Sequence, residues 1–376
     1  MSATEVTNVN PNLRKLVEAG TSPWLDLLRR SLVEDGELAR MVAEDSLRGV
    51  TSNPSIFEKA ILDSDDYDDQ LHELFDGDEN MSAQAIYEEL AIHDVRGACD
   101  VLRQTYEDNR HQDGFVSLEV AADLAHDPAK TIAAAKDFWK RVDRPNLMIK
   151  IPGTKEGLGP IEEAIYSGIN VNITLLFSVD AYEEVADAYL KGLERRLNEG
   201  KSLDIASVAS FFVSRIDTAV DKQLEGQGHD ELLGTAAIAN ARNAYRCFEK
   251  MFGNASPRWD ALHHAGAHPQ RPLWASTGVK NPDYKDTMYV DDLVAPHTVN
   301  TMPLATLEAV ADHGNVSGPT AMHNPEDTLQ ALESAGVDLV EVTAELLDAG
   351  VKQFEDAMSH LLDGIEERRK SYKEKN

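Results

Sequence analysis

The sequence predicts an α/β fold, a single (β/α)8 TIM barrel with added helices, and three observations carry that prediction. Strand-like and helix-like segments alternate along the whole chain, with no low-complexity linker and no second composition class. Eight strand-like segments stand near residues 22, 49, 115, 147, 171, 206, 272 and 298, mostly as near-continuous apolar runs, which is how parallel strands buried on both faces read. An open doubly wound sheet would want a glycine-rich phosphate fingerprint after its first strand, and none follows residue 26. At 376 residues the chain fits one barrel with insertions, since such barrels run to about 250 residues or more. Residues 1–376 are therefore read as one domain.

Taken in order, residues 1–11 are polar and expected to be flexible. SPWLD (22–26) is the first strand. Residues 27–44 read as one helix, with Leu28, Leu32 and Leu38 spaced for an apolar face. GVTSNPS (49–55) is the second strand and its terminus. Asn53 precedes a proline, which pushes it to extended geometry, and Ser55 is a candidate cap for a helix over 56–62. Residues 63–80 are strongly acidic and read as a surface segment. The DSDDYDD run within them lacks the glycine and terminal glutamate of an EF-hand calcium loop. Residues 83–109 hold one or two helices, GFVSLEV (114–120) is a strand ending in an acid, and Asp127-Pro128 opens a helix through Lys140.

The fourth strand covers 147–151 and is stopped by Pro152-Gly153. A short helix over 162–167, bounded by Gly159-Pro160 and Gly168, leads to the fifth strand over 171–177. A helix over 180–199, a strand over 205–213 and a long helical block over 218–251, broken at Gly226 and Gly228, come next. RPLWAS opens the seventh strand and runs into a basic, glycine-containing loop. The last strand covers 297–302, and helices are expected over 303–313, 326–336 and 343–369.

Composition bounds the function. Hydrophobic residues make up 42% of the chain, enough for a sizeable core, and the formal net charge is -30. Such a charge argues against nucleic acid and anionic membrane as partners, and it requires a local basic pocket if the substrates are anionic. Two cysteines, Cys99 and Cys247, stand apart in helix-like surroundings and read as free buried thiols of a reducing compartment. The opening MSATEVTNVNPNLRKL has no basic region followed by an apolar run, so it reads as no secretory signal. The expectation is a cytoplasmic protein, monomer or homodimer.

The chain is organised around residues 146–177. Lys150 interrupts an apolar run at the end of the fourth strand, between Ile149 and Ile151. Such a lysine is commonly a surface side chain or the partner of a carboxylate. In a dry pocket it is instead an amine whose ammonium form is disfavoured, able to attack a carbonyl. Asn172 and Thr174, at i and i+2 on the next strand, point to one face. In a barrel the active site lies at the C-terminal strand ends. Asp26, Asn53, Glu119, Lys150, Asn172, Thr174, Ser210, Arg215, Ser276 and Lys280 all stand at such ends, on seven strands.

LMIKIPGT, INVNITLLFS and, upstream, GVTSNPSIF are similar to the signature segments of transaldolase, and the resemblance runs in family order from about residue 26 to the C-terminal helix. The length and the GVTSNPSIF form resemble the longer bacterial transaldolases. The resemblance implies a class I aldolase-type enzyme of the pentose phosphate pathway that works through a lysine Schiff base on sugar phosphates, with no cofactor and no metal. It assigns Lys150 as the imine-forming amine and Asp26 as the acid–base group at the C4 hydroxyl. Glu119 and Thr174 become the pair that holds the water of imine formation and hydrolysis. Asn53 and Asn172 become amides that bind substrate hydroxyls, Ser210 the contact of the terminal hydroxymethyl group, and Arg215 the phosphate arginine. After Ser276 the family's shorter pattern has a nearby arginine. Here a lysine, Lys280, follows in a glycine-containing loop and is taken as the second phosphate cation. Several of these residues also have structural readings: Asp26 as an exposed helix cap, Asn53 as a turn residue before Pro54, and Arg215 as the ion-pair partner of Asp217 or Asp221. His263, His264 and His268 lack a carboxylate or cysteine at metal-ligand spacing, and His297 reads as a core or rim histidine.

Overall fold

Eight parallel strands, paired in chain order and closed by β1 against β8, form the barrel of a computed structural model that describes residues 9–375. The strands are β1 (Thr21–Leu25), β2 (Gly49–Thr51), β3 (Phe115–Glu119), β4 (Leu147–Pro152), β5 (Val171–Leu176), β6 (Ser207–Phe212), β7 (Arg271–Ala275) and β8 (Thr298–Met302). Every strand residue except Arg271 is buried. That is the physical reason these segments read as apolar runs: one face meets the helices and the other meets the barrel interior. β5 carries a bulge, a register shift against β6 between Ile173 and Leu176, with Leu175 in the left-handed region at φ 61.

The N-terminal end of the barrel is closed by a polar cluster. Trp24 Nε1 donates to Asp113 Oδ1 at 2.8 Å, and Arg271 lies 3.5 Å from the same carboxylate and donates to Ser22 Oγ at 3.1 Å. This end is occupied by structural contacts, which leaves the C-terminal end for chemistry.

The helices differ from expectation where turn chemistry competes with periodicity. The single helix over 27–44 is two, Arg30–Glu34 and Glu37–Glu44, because Gly36 between them sits at φ 80, which glycine adopts without strain. Residues 1–8, most of the segment expected to be flexible, lie outside the described residues. Pro11, the last of that segment, already opens a helix, Pro11–Glu18, which Asn10 caps by accepting from the Asn12 and Leu13 N–H groups. The acidic stretch is not all surface. Asp68–Gly77 is a helix, and Tyr67, Leu71 and Phe75 are buried along one face at i, i+4 and i+8. The helix after β2 starts at Pro54 and is capped by Asn53, not Ser55. The short helix after β4 runs from Leu158 to Ser167, so Gly159 and Pro160 lie in its first turn. The block over 218–251 separates into Ser214–Leu224 and Ala236–Phe252, and residues 83–109 hold one helix, Ala83–Asp108. Pro257–His264 is a helix that periodicity did not show.

The last helix, Leu339–Lys375, is longer than expected and positions the site. It packs on the helix Pro54–Leu62 after β2, on Ala83–Asp108, on Ser214–Leu224 after β6, and on the end of β5. It therefore crosses the C-terminal mouth of the barrel. No helix among the described residues is long and apolar enough to cross a membrane. Cys99 and Cys247 are free and buried.

Candidate active site

Strand register brings the central residues together. Glu119 stands opposite Lys150, Lys150 opposite Asn172, and Pro152 opposite Thr174. Parallel neighbours in register point the same way, so Glu119, Lys150 and Asn172 form one rank inside the barrel, with Thr174 one step nearer the mouth. Lys150 Nζ donates to the Ser52 carbonyl at 2.9 Å and lies 3.0 Å from Glu119 Oε2, with the two side chains 5% and 2% exposed. The lysine is thus both paired with a carboxylate and enclosed. Burial pushes the Glu119 pKa up, the Lys150 charge pulls it down and the Asp26 charge raises it again. A carboxyl held above its ordinary range beside an amine can take and return that amine's proton. Neither Glu119 oxygen accepts a well-directed hydrogen bond from a described group, and the buried Thr174 hydroxyl has no partner either. Buried polar atoms in such a position call for a small polar partner, a water or a substrate hydroxyl.

Asp26 follows β1, its N–H donating to the Met302 carbonyl at 2.8 Å. It is not a helix cap, since the next helix is entered from Arg29. Thr51 Oγ1 donates to Asp26 Oδ1 at 2.6 Å and lies 2.7 Å from Thr301 Oγ1, so β2 and β8 jointly orient the carboxylate. Burial raises the Asp26 pKa. The Thr51 hydrogen bond lowers it, as do the charges of Lys150, Arg215 and Lys280. Those three cations come from β4, the helix after β6 and the loop after β7, so Asp26 senses the site from several sides.

A cavity of about 610 Å3 opens at the C-terminal end of the barrel. Asp26, Asn53, Lys150, Thr174, Ser210, Arg215, Ser276 and Lys280 line it; Glu119 and Asn172 do not, and sit behind the lining. Asn172 is wholly buried, donating to Ser117 Oγ at 3.0 Å and accepting from Ser210 Oγ at 2.6 Å. Its amide oxygen thereby fixes the Ser210 hydroxyl, which does line the cavity. Asn53 both caps and faces the cavity. Its Oδ1 accepts from the Ile56 N–H at 3.0 Å, which leaves the amide NH2 for a ligand. Ser276, at φ 54, lies 3.0 Å from Ser214 Oγ.

Arg215 is half-buried beneath the mouth, its guanidinium carbon 5.2 Å from the Phe212 ring centroid. Its pKa is lowered by burial and raised by Asp26. The alternative structural reading, an ion pair with Asp217 or Asp221, does not hold. Asp217 accepts from the Ala237 N–H and the Tyr289 hydroxyl, and Asp221 from the Gly234 N–H and the Tyr284 hydroxyl. Lys280 is exposed at the rim. Two further cations, Arg29 and Lys59, line the same cavity, and among the described residues none of these four is ion-paired. In a chain of net charge -30 this is a local excess of positive charge, offset only in part by Asp26 and Asp63 on the same wall, the arrangement that holds anions.

Sequence reasoning missed Thr51, Thr301, Arg29, Lys59, Phe212 and Phe354 on the cavity wall. Thr301 was detectable as a polar residue in the last strand. Phe354 comes from the last helix and carries no local signal. The three histidines before Pro269 make separate contacts: His264 with the Asp260 carbonyl at 2.8 Å and His268 with Asp204 at 3.2 Å. Among the described residues no group of His, Cys, Asp and Glu is placed to hold a metal ion. His297 is exposed, at φ 58.

The sequence has counterparts among known proteins. Residues 23–365 match the family described as transaldolase/fructose-6-phosphate aldolase. A protein of Saccharopolyspora erythraea named transaldolase is 51% identical over 363 residues, covering 95% of this chain and 98% of that one. Transaldolases of Thermobifida fusca and Mycolicibacterium smegmatis are each 49% identical, over 94% and 95% of this chain and 97% of their own. With a lysine amine enclosed at a barrel strand end and the family's match running over nearly the whole length, the chain belongs to the transaldolase/fructose-6-phosphate aldolase family.

Proposed function

We propose that this chain is a transaldolase of the pentose phosphate pathway, moving a dihydroxyacetone unit from sedoheptulose 7-phosphate or fructose 6-phosphate to an aldose phosphate through an imine on Lys150. The observation that carries the reading is the enclosed Lys150–Glu119 pair at 3.0 Å, its lysine on the wall of a cavity that Arg29, Lys59, Arg215 and Lys280 also line. Lys150 Nζ adds to the C2 carbonyl of the ketose. Glu119 moves the protons, and the Thr174 hydroxyl helps to hold the water lost from the carbinolamine. Asp26 then takes the proton of the C4 hydroxyl and the C3–C4 bond breaks. The electrons pass into the protonated imine, which serves as the sink and calls for no metal or cofactor. The aldose phosphate leaves, and the retained enamine adds to a second aldehyde while Asp26 returns the proton. Ser210 and the amide of Asn53 orient the donor, with Asn172 behind Ser210. Arg215, Lys280 and Ser276 hold the phosphate, Arg215 by its planar fork. The protein acts in the cytoplasm, as one barrel unit, alone or as a homodimer.

The second reading, an aldolase that releases dihydroxyacetone, is contained in the family's own description, and the relatives' printed names favour transfer. The test mixes fructose 6-phosphate with erythrose 4-phosphate. Transfer yields sedoheptulose 7-phosphate and glyceraldehyde 3-phosphate. Glyceraldehyde 3-phosphate forms either way, so free dihydroxyacetone with no sedoheptulose 7-phosphate would overturn the reading.

A further inference from the structure

The last helix places one aromatic ring over the amine. Phe354 is 3% exposed, lines the cavity, and has its ring centroid 6.0 Å from Lys150 Nζ. The ring is seated by what lies one turn earlier on the same face. Gly350 is buried, and a Cβ there would stand 3.0 Å from Leu175 Cδ2 and 3.7 Å from Arg215 Nη1. The helix backbone therefore rests on Leu175 and beside Arg215 with no side chain between. Leu175 is the residue that adopts the left-handed conformation at the β5 bulge, next to Thr174. The bulge, the glycine and the ring make one joint between the last helix and the strand bearing Thr174.

We propose that Phe354 is a specificity-determining residue: its ring covers the three-carbon unit held on Lys150 and keeps water from the imine carbon until an acceptor arrives. The inference rests on the transaldolase reading above and adds what separates transfer from release. After cleavage the unit is an enamine on Nζ. In transfer, enamine C3 bonds to the acceptor's aldehyde carbon, the aldehyde oxygen takes the Asp26 proton, and the iminium is restored. In release, C3 takes the proton that Asp26 removed from the C4 hydroxyl, water adds to C2 of the iminium and passes a proton through Glu119 to the nitrogen, the C2–N bond breaks, and dihydroxyacetone leaves with the Lys150 amine regenerated. Transfer also ends in hydrolysis, but with a full ketose in the cavity. Release needs water at C2 while the space left by the departed aldose is open, and that space is where an apolar cover excludes it. An aromatic face near Nζ also favours the iminium, which is a cation.

The experiment measures, on the full-length chain, the ratio of dihydroxyacetone released from fructose 6-phosphate alone to sedoheptulose 7-phosphate formed with erythrose 4-phosphate. Both rates come from the same folded fraction, so the ratio does not depend on how much of a variant folds. Phe354→Ala is expected to raise the ratio about tenfold or more, and Phe354→Leu to keep it within about threefold of the parent, because a side chain too short to reach over Lys150 admits water whereas leucine still covers it. Phe354→Val reads the same ratio should Phe354→Ala fail to fold. An unchanged ratio in the alanine or valine variant overturns the proposal. Failure of the parent chain to transfer at all overturns the transaldolase reading instead.

Discussion

If Arg215 holds the substrate phosphate as proposed, truncating it to alanine should separate phosphate recognition from the chemistry. The guanidinium is half-buried, burial lowers its pKa, and among the described residues no carboxylate pairs with it. The Asp26 charge offsets its desolvation in part, and an entering anion offsets it further. A hydrogen bond to a charged group contributes about 1.5–3 kcal/mol net, which at 1.4 kcal/mol per factor of ten is roughly ten- to a hundredfold in affinity. Lys280 is exposed at the rim, where one ion pair is worth about 0.2–1 kcal/mol, or at most about fivefold, and fades with salt. The assay is the KM for fructose 6-phosphate and for unphosphorylated fructose, at low and high ionic strength. Arg215→Ala should raise the first by roughly ten- to a hundredfold, leave the second nearly unchanged, and do so at both salt levels. Lys280→Ala should act in the same direction, more weakly, and lose its effect at high salt. An equal loss for fructose, or a larger effect from Lys280, would refute the assignment of the phosphate cations.

Asp26→Asn should form the imine yet fail at C–C cleavage, read by single-turnover mass spectrometry; cleavage at the parental rate would exclude the acid–base role. The same variant should melt at a higher temperature than the parent at neutral pH. Burial holds the Asp26 pKa above its ordinary 3.8, so the unfolded chain ionises first as pH rises. Stability falls from that ordinary value up to the folded-state pKa and stays lower above it. The difference between variant and parent should vanish below about pH 4, where both states hold the proton. Thr51→Val removes the hydroxyl that donates to Asp26 and should move the acidic limb of the cleavage pH profile to higher pH, whereas Thr51→Ser should not; an unmoved limb would show that Thr51 does not tune Asp26.

The barrel was legible because its strands are buried on both faces, so each reads as an apolar run and each inward polar residue stands out against it. Lys150, Asn172 and Ser210 are visible in the sequence for that reason. Legibility failed where one residue has two duties or where contacts come from far away. Asn53 caps a helix with its oxygen and faces the cavity with its nitrogen, and no local pattern separates the two uses. Asn172 shares a face with Thr174, yet only Thr174 reaches the cavity, because two serines enclose the amide. Arg29 and Lys59 sit in a loop and a helix that periodicity marks as solvent-facing, and closure of the barrel turns them toward the mouth. The helix Asp68–Gly77 was hidden by its own acidic face.

The central claim is that Lys150 is the nucleophile, and borohydride reduction tests it most directly. Incubating the chain with fructose 6-phosphate, reducing, digesting and mapping the adduct by mass spectrometry should place a reduced three-carbon or six-carbon adduct on the peptide containing Lys150. Lys150→Ala should lose both the adduct and turnover. An adduct retained on another lysine in that variant, or transfer without any reducible adduct in the parent chain, would contradict the account.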